Sequence, residues 1–188
     1  MRELIVSEFV SLDGVMEAPG GEPGHPHSGW TFDYHDDEQM KYKLDETLDA
    51  GSLLLGRVTY EGFSEALPPR EGGFADKMNS MPKYVVSSTL TDPEWDNTTV
   101  IEGDVPAEVA KLKEGDGGPI VIAGSRTLVH SLIPTGLIDE YRLMIFPVLI
   151  GSGGRVWPES PHKLALELAD TRKYDSGVVV NVYRRPGS

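Results

Sequence analysis

Short aliphatic runs alternate with helical periodicity through the first two thirds of the chain, and then the helical signal stops. Residues 4–10 are aliphatic with little alternation, as a strand covered on both faces would be, and 52–55, 84–86, 98–101 and 120–123 are further strands. Between them, 36–50 reads as a helix in which Met40, Leu44 and Leu48 recur at four-residue spacing on one face. Asp36, Asp37 and Glu38 crowd its first turn, where the helix dipole favours acids, and Gly51 closes it. Shorter helices are predicted over 60–66, near 74–80, over 106–113 with Pro106 at its tolerated first position, and from the turn at 124–126 through Leu132. From about residue 140 onward the pattern gives three strands, 140–150, 164–169 and 178–184, with no helix between them. Leu164, Leu166 and Leu168 alternate with other residues, as do Val178, Val180 and Val182. Strand–helix alternation followed by strands alone predicts an α/β fold with a mostly parallel sheet and an antiparallel C-terminal part. No repeat or linker interrupts it, so residues 1–188 are expected to form one domain.

Composition narrows the function classes. The chain has 39% hydrophobic residues and no apolar run near the roughly 20 residues that span a bilayer. The start of the chain reads directly into a strand without the pattern of a signal peptide, so a cytoplasmic location is expected. There is no cysteine, which removes disulfides, thiolate metal sites and a cysteine nucleophile. The net charge of −13, with no compensating basic run, argues against nucleic acid as a partner.

The candidate chemistry lies where strands end. Ile120, Val121, Ile122 and Ala123 run into Gly124, Ser125, Arg126 and Thr127, a strand–glycine–helix junction of the kind that binds anions through backbone amides. Ser125 acting only as a helix cap is the equally weighted structural alternative. A second junction, Gly56, Arg57, Val58, Thr59, offers a guanidinium fork and a hydroxyl, and the two together favour a phosphorylated ligand across the carboxyl ends of the strands. Ser87, Ser88 and Thr89 follow a third strand and supply hydroxyls to a ribose or phosphate, or are a polar loop. Asp13, after the first strand, either holds a substrate or ribose group or caps a turn. Residues 18–30, rich in Gly, Pro and His, form a long loop of the sort that serves as a lid. His25 and His27 within it have no partner at metal-ligand spacing, and no metal site is expected. The glycine-rich stretch 151–154 is a turn that gains interest only if it lies at the cofactor cleft.

Six stretches in order, 11–14, 53–61, 83–87, 123–128, 137–143 and 147–153, resemble the reductase domain of the riboflavin-pathway bifunctional deaminase–reductase and its stand-alone relatives in the dihydrofolate reductase superfamily. The resemblance implies a dihydrofolate-reductase-like three-layer fold, with a mostly parallel central sheet, an antiparallel C-terminal part and helices on both faces. It implies NADPH as cofactor, with Gly56, Arg57, Thr59, Gly124, Ser125, Arg126 and Thr127 around its phosphates and Ser87 and Ser88 on the adenosine side. The substrate is expected beside the first strand and its loop, near Asp13, Trp30 and Asp36. Two departures from the family pattern stand out. No basic residue accompanies Ser87 and Ser88, so NADH is not excluded, and Asp33, Asp36, Asp37 and Glu38 compete for the place of a catalytic acid.

The leading expectation is thus an NADPH-dependent reductase of a small heterocycle, resembling 5-amino-6-(5-phosphoribosylamino)uracil reductase. A dihydrofolate or pterin reductase, and a non-catalytic nucleotide-binding protein of the same fold, are the alternatives. The apolar strands near the chain end, together with the resemblance, predict a homodimer built on the antiparallel part of the sheet.

Overall fold

The computed structural model describes residues 1–160 and 163–187. Strand β1 (Leu4–Ser11) is followed by a long loop and helix α1 (Asp37–Asp49), then β2 (Ser52–Gly56), α2 (Arg57–Ala66), α3 (Gly73–Ser80), β3 (Lys83–Val86), β4 (Thr98–Ile101), α4 (Val105–Glu114), β5 (Ile120–Ala123) and α5 (Arg126–Leu132). Strands β6 (Glu140–Phe146), β7 (Glu167–Lys173) and β8 (Val179–Arg184) complete the chain. They form an eight-stranded sheet in the order β4-β3-β2-β5-β1-β6-β8-β7. Every pairing from β4 across to β6 is parallel, and β6–β8 and β8–β7 are antiparallel. The mixed sheet read from the change of rhythm is therefore the one observed.

Both faces are covered. Leu4, Val6, Leu54, Ile120 and Ile122 pack on Val109 of α4 and on Leu128, Val129 and Leu132 of α5. The opposite-facing Ile5, Leu53, Leu55, Val85 and Val121 pack on Tyr60 of α2 and Met78 of α3. A third cluster joins Trp30 of the long loop to Met144, Phe146, Val180 and Val182 of the antiparallel part.

The face of α1 differs from the sequence reading. Met40 and Leu48 are exposed and Leu44 only half-buried; the buried positions are Gln39, Glu46 and Thr47. A polar network takes the place of apolar packing beneath this helix. Glu46 accepts from Ser7 Oγ at 2.8 Å and Lys43 Nζ at 2.6 Å and pairs with Arg142 at 3.4 Å; Arg142 pairs with Glu140, which also takes Arg184. Buried charges persist where each finds hydrogen-bonded partners. Gly51 likewise serves close approach rather than a left-handed helix cap. The cap is Ala50, and a Cβ on Gly51 would lie 2.6 Å from the Gly118 carbonyl oxygen.

Other boundaries shift. Helix α2 begins at Arg57 rather than at Tyr60, so Arg57 and Thr59 sit in its first turn. Strand β6 ends at Phe146, short of the 150 expected, and β7 starts at Glu167, later than the 164 expected. All seven residues of β7 are exposed, and Leu164 and Leu168 do not line a core face, whereas Leu166, just before the strand, is partly buried against the cluster of Leu4, Val6 and Tyr141. Among the described residues no helix is long and apolar enough to cross a membrane.

Candidate functional site

The sheet opens at its carboxyl end. Strands β1 and β5 pair from Leu4↔Ile120 to Ser7↔Ala123 and then part: β5 turns at Gly124, while β1 continues beside β6 to Ser11↔Phe146. Strands β2 and β5 pair only at Ser52↔Ile120 and Leu53↔Val121, while β2 runs on with β3 to Gly56↔Val86. Such a parting of neighbouring strands, with loops leading away on either side, is where open α/β sheets take their ligands.

The two glycine junctions of the sequence meet there. The amide of Gly56 donates to Ser125 Oγ at 2.9 Å, and the amide of Ser125 donates to Thr59 Oγ1 at 2.8 Å. Gly124 has φ +62°, and a Cβ there would lie 3.1 Å from the Thr59 side chain. Ser125 occupies the N-cap position of α5, but with φ +55° and no capping bond from its own side chain. Its hydroxyl ties the two turns together instead.

The Gly124 amide is also committed. It donates at 2.8 Å to Glu8 Oε2, on the first β1 residue beyond the pairing with β5. Burial pushes the Glu8 carboxyl well above the usual carboxylate range, against the Gly124 bond and the Lys43 ammonium, which pull it down, while Glu46 adds to the rise. Its Oε1 is buried without a hydrogen-bond partner among the described residues. Of the four residues 124–127, Gly124 and Ser125 thus use their amides to shape the turn. Arg126 and Thr127 open the first turn of α5, where amides have no intrahelical acceptor. Glu8 is not among the residues that motif spacing marks, although an acid inside an aliphatic strand is itself a signal.

Arg57 projects from the first turn of α2 and pairs with Glu61 at 2.8 Å; both side chains are about half exposed. Arg126 lies against Gly154, where a Cβ would collide with its guanidinium, and stands 3.9 Å from Glu17. The glycine-rich turn 151–154 therefore does lie at the opened end of the sheet. Glu17 also accepts from the Gly154 amide at 2.5 Å, and the Met16 amide donates to the Gly154 carbonyl, so the turn is stitched to the long loop. His25 joins the same seam, with Nε2 3.1 Å from the Ser152 carbonyl and Nδ1 accepting from the His27 amide. Among the described residues no cluster of three His, Cys, Asp or Glu side chains could hold a metal. Ser87 is buried and accepts from the amides of Thr89 and Leu90, while Ser88 is exposed beside it.

On the substrate side the expected acids are occupied. Asp13 accepts from Ser11 Oγ at 2.6 Å and from the amides of Ile150 and Gly151; the Ser11 bond and these amides hold its carboxyl down at about 2. Arg155 donates to the Asp13 carbonyl. Asp36 caps α1 through the Gln39 amide and also accepts from the Asp175 amide, and these bonds lower its carboxyl. Asp33, Asp37 and Glu38 are exposed. Trp30 is buried, donates to the Glu17 carbonyl at 2.8 Å and meets the Phe146 ring edge-on at 5.4 Å. Phe9 and Tyr34 meet the same ring, giving an aromatic group at the carboxyl ends of β1 and β6.

The family model described as RibD C-terminal domain matches residues 2–180. The uncharacterised protein YyaP of Bacillus subtilis is 31% identical over 196 residues, covering 99% of this chain and 96% of its own length. A putative riboflavin biosynthesis protein from Shewanella sp. PV-4 superposes with a TM-score of 0.76 at 20% identity, covering 97% of this chain and 98% of its own. A diaminohydroxyphosphoribosylaminopyrimidine deaminase/5-amino-6-(5-phosphoribosylamino)uracil reductase from Thermotoga maritima gives 0.68 at 13% identity, over 98% of this chain and 56% of its own. Dihydrofolate reductase from Enterococcus faecalis, in complex with NADP(H), gives 0.61 at 18% identity over 98% and 96%. The fold is dihydrofolate-reductase-like.

Proposed function

The chain belongs to the RibD C-terminal domain family, and on that premise we propose that it is an NADPH-dependent reductase of a small heterocyclic substrate, related to 5-amino-6-(5-phosphoribosylamino)uracil reductase. The observation that carries this reading is the interlock of the turns after β2 and β5 through Ser125, Gly56 and Thr59, at the place where the sheet opens.

The residues present fit a phosphorylated nucleotide. Gly124 lets its turn pass close to Thr59, and behind it the first-turn amides of α5, which have no intrahelical acceptor, suit a phosphate. Arg57 and Arg126 bring guanidinium forks to the two helix starts, each with its side chain 47% exposed. Ser87 and Ser88 follow β3 at the same end of the sheet and serve the adenosine side. When bound, NADPH supplies the hydride. The protein's part is to bind, orient and exclude water. The long loop, stitched to 151–154 through Glu17 and His25, provides the exclusion.

Pterin reduction requires a carboxylic acid facing the ring; the acids at the start of α1 are either exposed or engaged in capping, and the buried Glu8 is tied to the Gly124 amide. We therefore favour the riboflavin-type reading. Mixing the protein and NADPH with a panel of oxo- and aminopyrimidines, while following the absorbance of reduced nicotinamide, tests it. Oxidation on one of them is expected. Tight NADPH binding with no oxidation on any of them supports the non-catalytic alternative.

We also propose a homodimer. Strand β7 stands at the sheet edge with all seven residues exposed, Leu168 among them. Light scattering should return about twice the 20.6 kDa chain mass, and a monomer contradicts the assembly.

A further inference from the structure

Glu8 sets an acid that is only 4% exposed into an aliphatic strand, at the residue where β1 leaves β5. Up to Ser7 and Ala123 the two strands pair along their main chains. At the next pair in line a side chain takes the place of the ladder, with Glu8 Oε2 accepting from the Gly124 amide at 2.8 Å. Gly124 leads straight into the lock between the turns, since its neighbour Ser125 donates to Thr59 and accepts from Gly56. Glu8 therefore reaches the nucleotide turns through a single amide. Its other oxygen, Oε1, is buried without a hydrogen-bond partner among the described residues. Holding one amide needs one acceptor, and a second buried oxygen left unpaired lowers stability.

The charges around Glu8 give that oxygen a task. Facing the carboxyl are Lys43 and Glu46 of α1, which pair at 2.6 Å, and Arg142 of β6 stands beyond them, 3.4 Å from Glu46. Burial would raise Glu46, but Lys43, Ser7 and Arg142 hold it below the usual carboxylate range. On the side of the turns, Arg126 stands 3.9 Å from Glu17, and Arg57 pairs with Glu61. Each of these cations has another acid as its partner. Burial accordingly pushes Glu8 up, with the Gly124 bond and Lys43 opposing and Glu46 adding to the rise. Phosphates at the interlocked turns bring further negative charge to the far side of the Gly124 link. Like charges across one turn raise the proton affinity of the carboxyl, so ligand and proton favour each other.

We propose that Glu8 is a positioning residue that couples the nucleotide site to pH: it anchors Gly124 through Oε2 and takes up a proton on Oε1 when phosphate groups bind at the interlocked turns. The assignment rests on the reductase reading for the place of the phosphates. It goes beyond that reading in naming the residue that links binding to acidity, and the sign of the link. Affinity falls as pH rises, because the ionised carboxyl repels the phosphates. A carboxyl serving only to tie β1 to β5 would make no such link.

Glu8→Gln keeps the length of the side chain and an oxygen for the Gly124 amide, but it cannot ionise. NADPH is titrated into both proteins by nicotinamide fluorescence from about pH 6 to about pH 9, where a buried acid titrates. The ratio of the wild-type dissociation constant to that of Glu8→Gln should rise about tenfold across this range, an ordinary coupling between two sites. Taking the ratio cancels the titration of the ligand's own phosphates. Calorimetry in two buffers of different ionisation enthalpy should show more proton uptake per NADPH in the wild type. Inorganic pyrophosphate is titrated alongside and should give the same trend. Difference infrared spectra of the wild type alone should gain a carboxylic-acid carbonyl band on binding, which keeps the test decisive should Glu8→Gln fail to fold. A constant ratio with equal proton uptake, or no gain in that band, overturns the assignment. Pyrophosphate binding that follows Glu8 while NADPH fails to bind counts against the reductase reading alone. No binding of either ligand overturns both.

Discussion

The backbone amide of Ser125 donates a 2.8 Å hydrogen bond to the hydroxyl of Thr59, 66 residues earlier in the chain. With the return bond from the Gly56 amide to Ser125 Oγ, it makes the turns after β2 and β5 one rigid unit at the open end of the sheet. Thr59→Val keeps the shape of the side chain and removes the acceptor. It leaves the Ser125 amide unpaired at a residue already held at φ +55°. A loss of about 1–3 kcal/mol in urea unfolding is expected, with weaker nucleotide binding alongside it. Full stability in the variant shows that the turns stand independently.

Arg57 pairs with Glu61 in a half-exposed contact of the kind worth little by itself. Its substitution should therefore affect binding far more than folding. Arg57→Ala should raise the NADPH dissociation constant about ten- to a hundredfold with little change in thermal midpoint. If NADH is weakened equally, Arg57 contacts the pyrophosphate and not the 2′-phosphate.

Asp13 predicts an acid limb in stability. Its carboxyl is held at about 2 by Ser11 Oγ and the amides of Ile150 and Gly151, against an ordinary value of 3.8. A depressed carboxyl contributes stability above its unfolded value and loses it as pH falls through the folded one. Urea midpoints should therefore drop between about pH 4 and about pH 2 more steeply in the wild type than in Asp13→Asn. Parallel profiles contradict the staple assigned to Asp13.

Lys83 gives the opposite limb. Its ammonium is buried beneath Trp95, 4.3 Å from the ring, and donates to the carbonyls of Asn79, Met81 and Asp96 at 2.8–2.9 Å. Burial lowers it to about 8 from 10.5, with Asp96 opposing. Between those values the unfolded chain holds the proton that the folded protein releases, so stability rises with pH. Denaturation profiles from about pH 8 to about pH 10, below the ionisation of most tyrosines, should show a rise that Lys83→Met removes. The same variant leaves three carbonyls without their donor and should cost about 1–3 kcal/mol at neutral pH. A flat wild-type profile contradicts the lowered lysine.

The strands were legible because burial on two faces writes a continuous aliphatic run, as in Leu4, Ile5 and Val6 or Ile120, Val121 and Ile122. The change from parallel to antiparallel pairing was legible in the loss of helices after residue 133. Two kinds of feature were not. The buried face of α1 is written in Gln39, Glu46 and Thr47, and the partners of Glu46 and Gln39 (Ser7, Arg142 and Ser176) lie on distant strands and turns, so periodicity pointed to the solvent side. Strand β7 is exposed throughout and bulged between Leu168 and Asp170, so alternation carried no record of a buried face. At the site, the glycine junctions marked the two turns that meet, but their hydrogen bonds to each other and to Glu8 depend on the strand order 2-5-1, which local spacing does not encode.

The central claim is that the interlocked turns hold a nicotinamide nucleotide. Titrating wild type and Gly124→Val with NADPH, followed by nicotinamide fluorescence, tests it most directly. A branched side chain at φ +62°, pressed against the Thr59 side chain that locks the two turns together, should weaken binding about a hundredfold or more while the far-ultraviolet spectrum stays native. No NADPH binding by the wild type, or equal affinity in a folded Gly124→Val protein, contradicts the account.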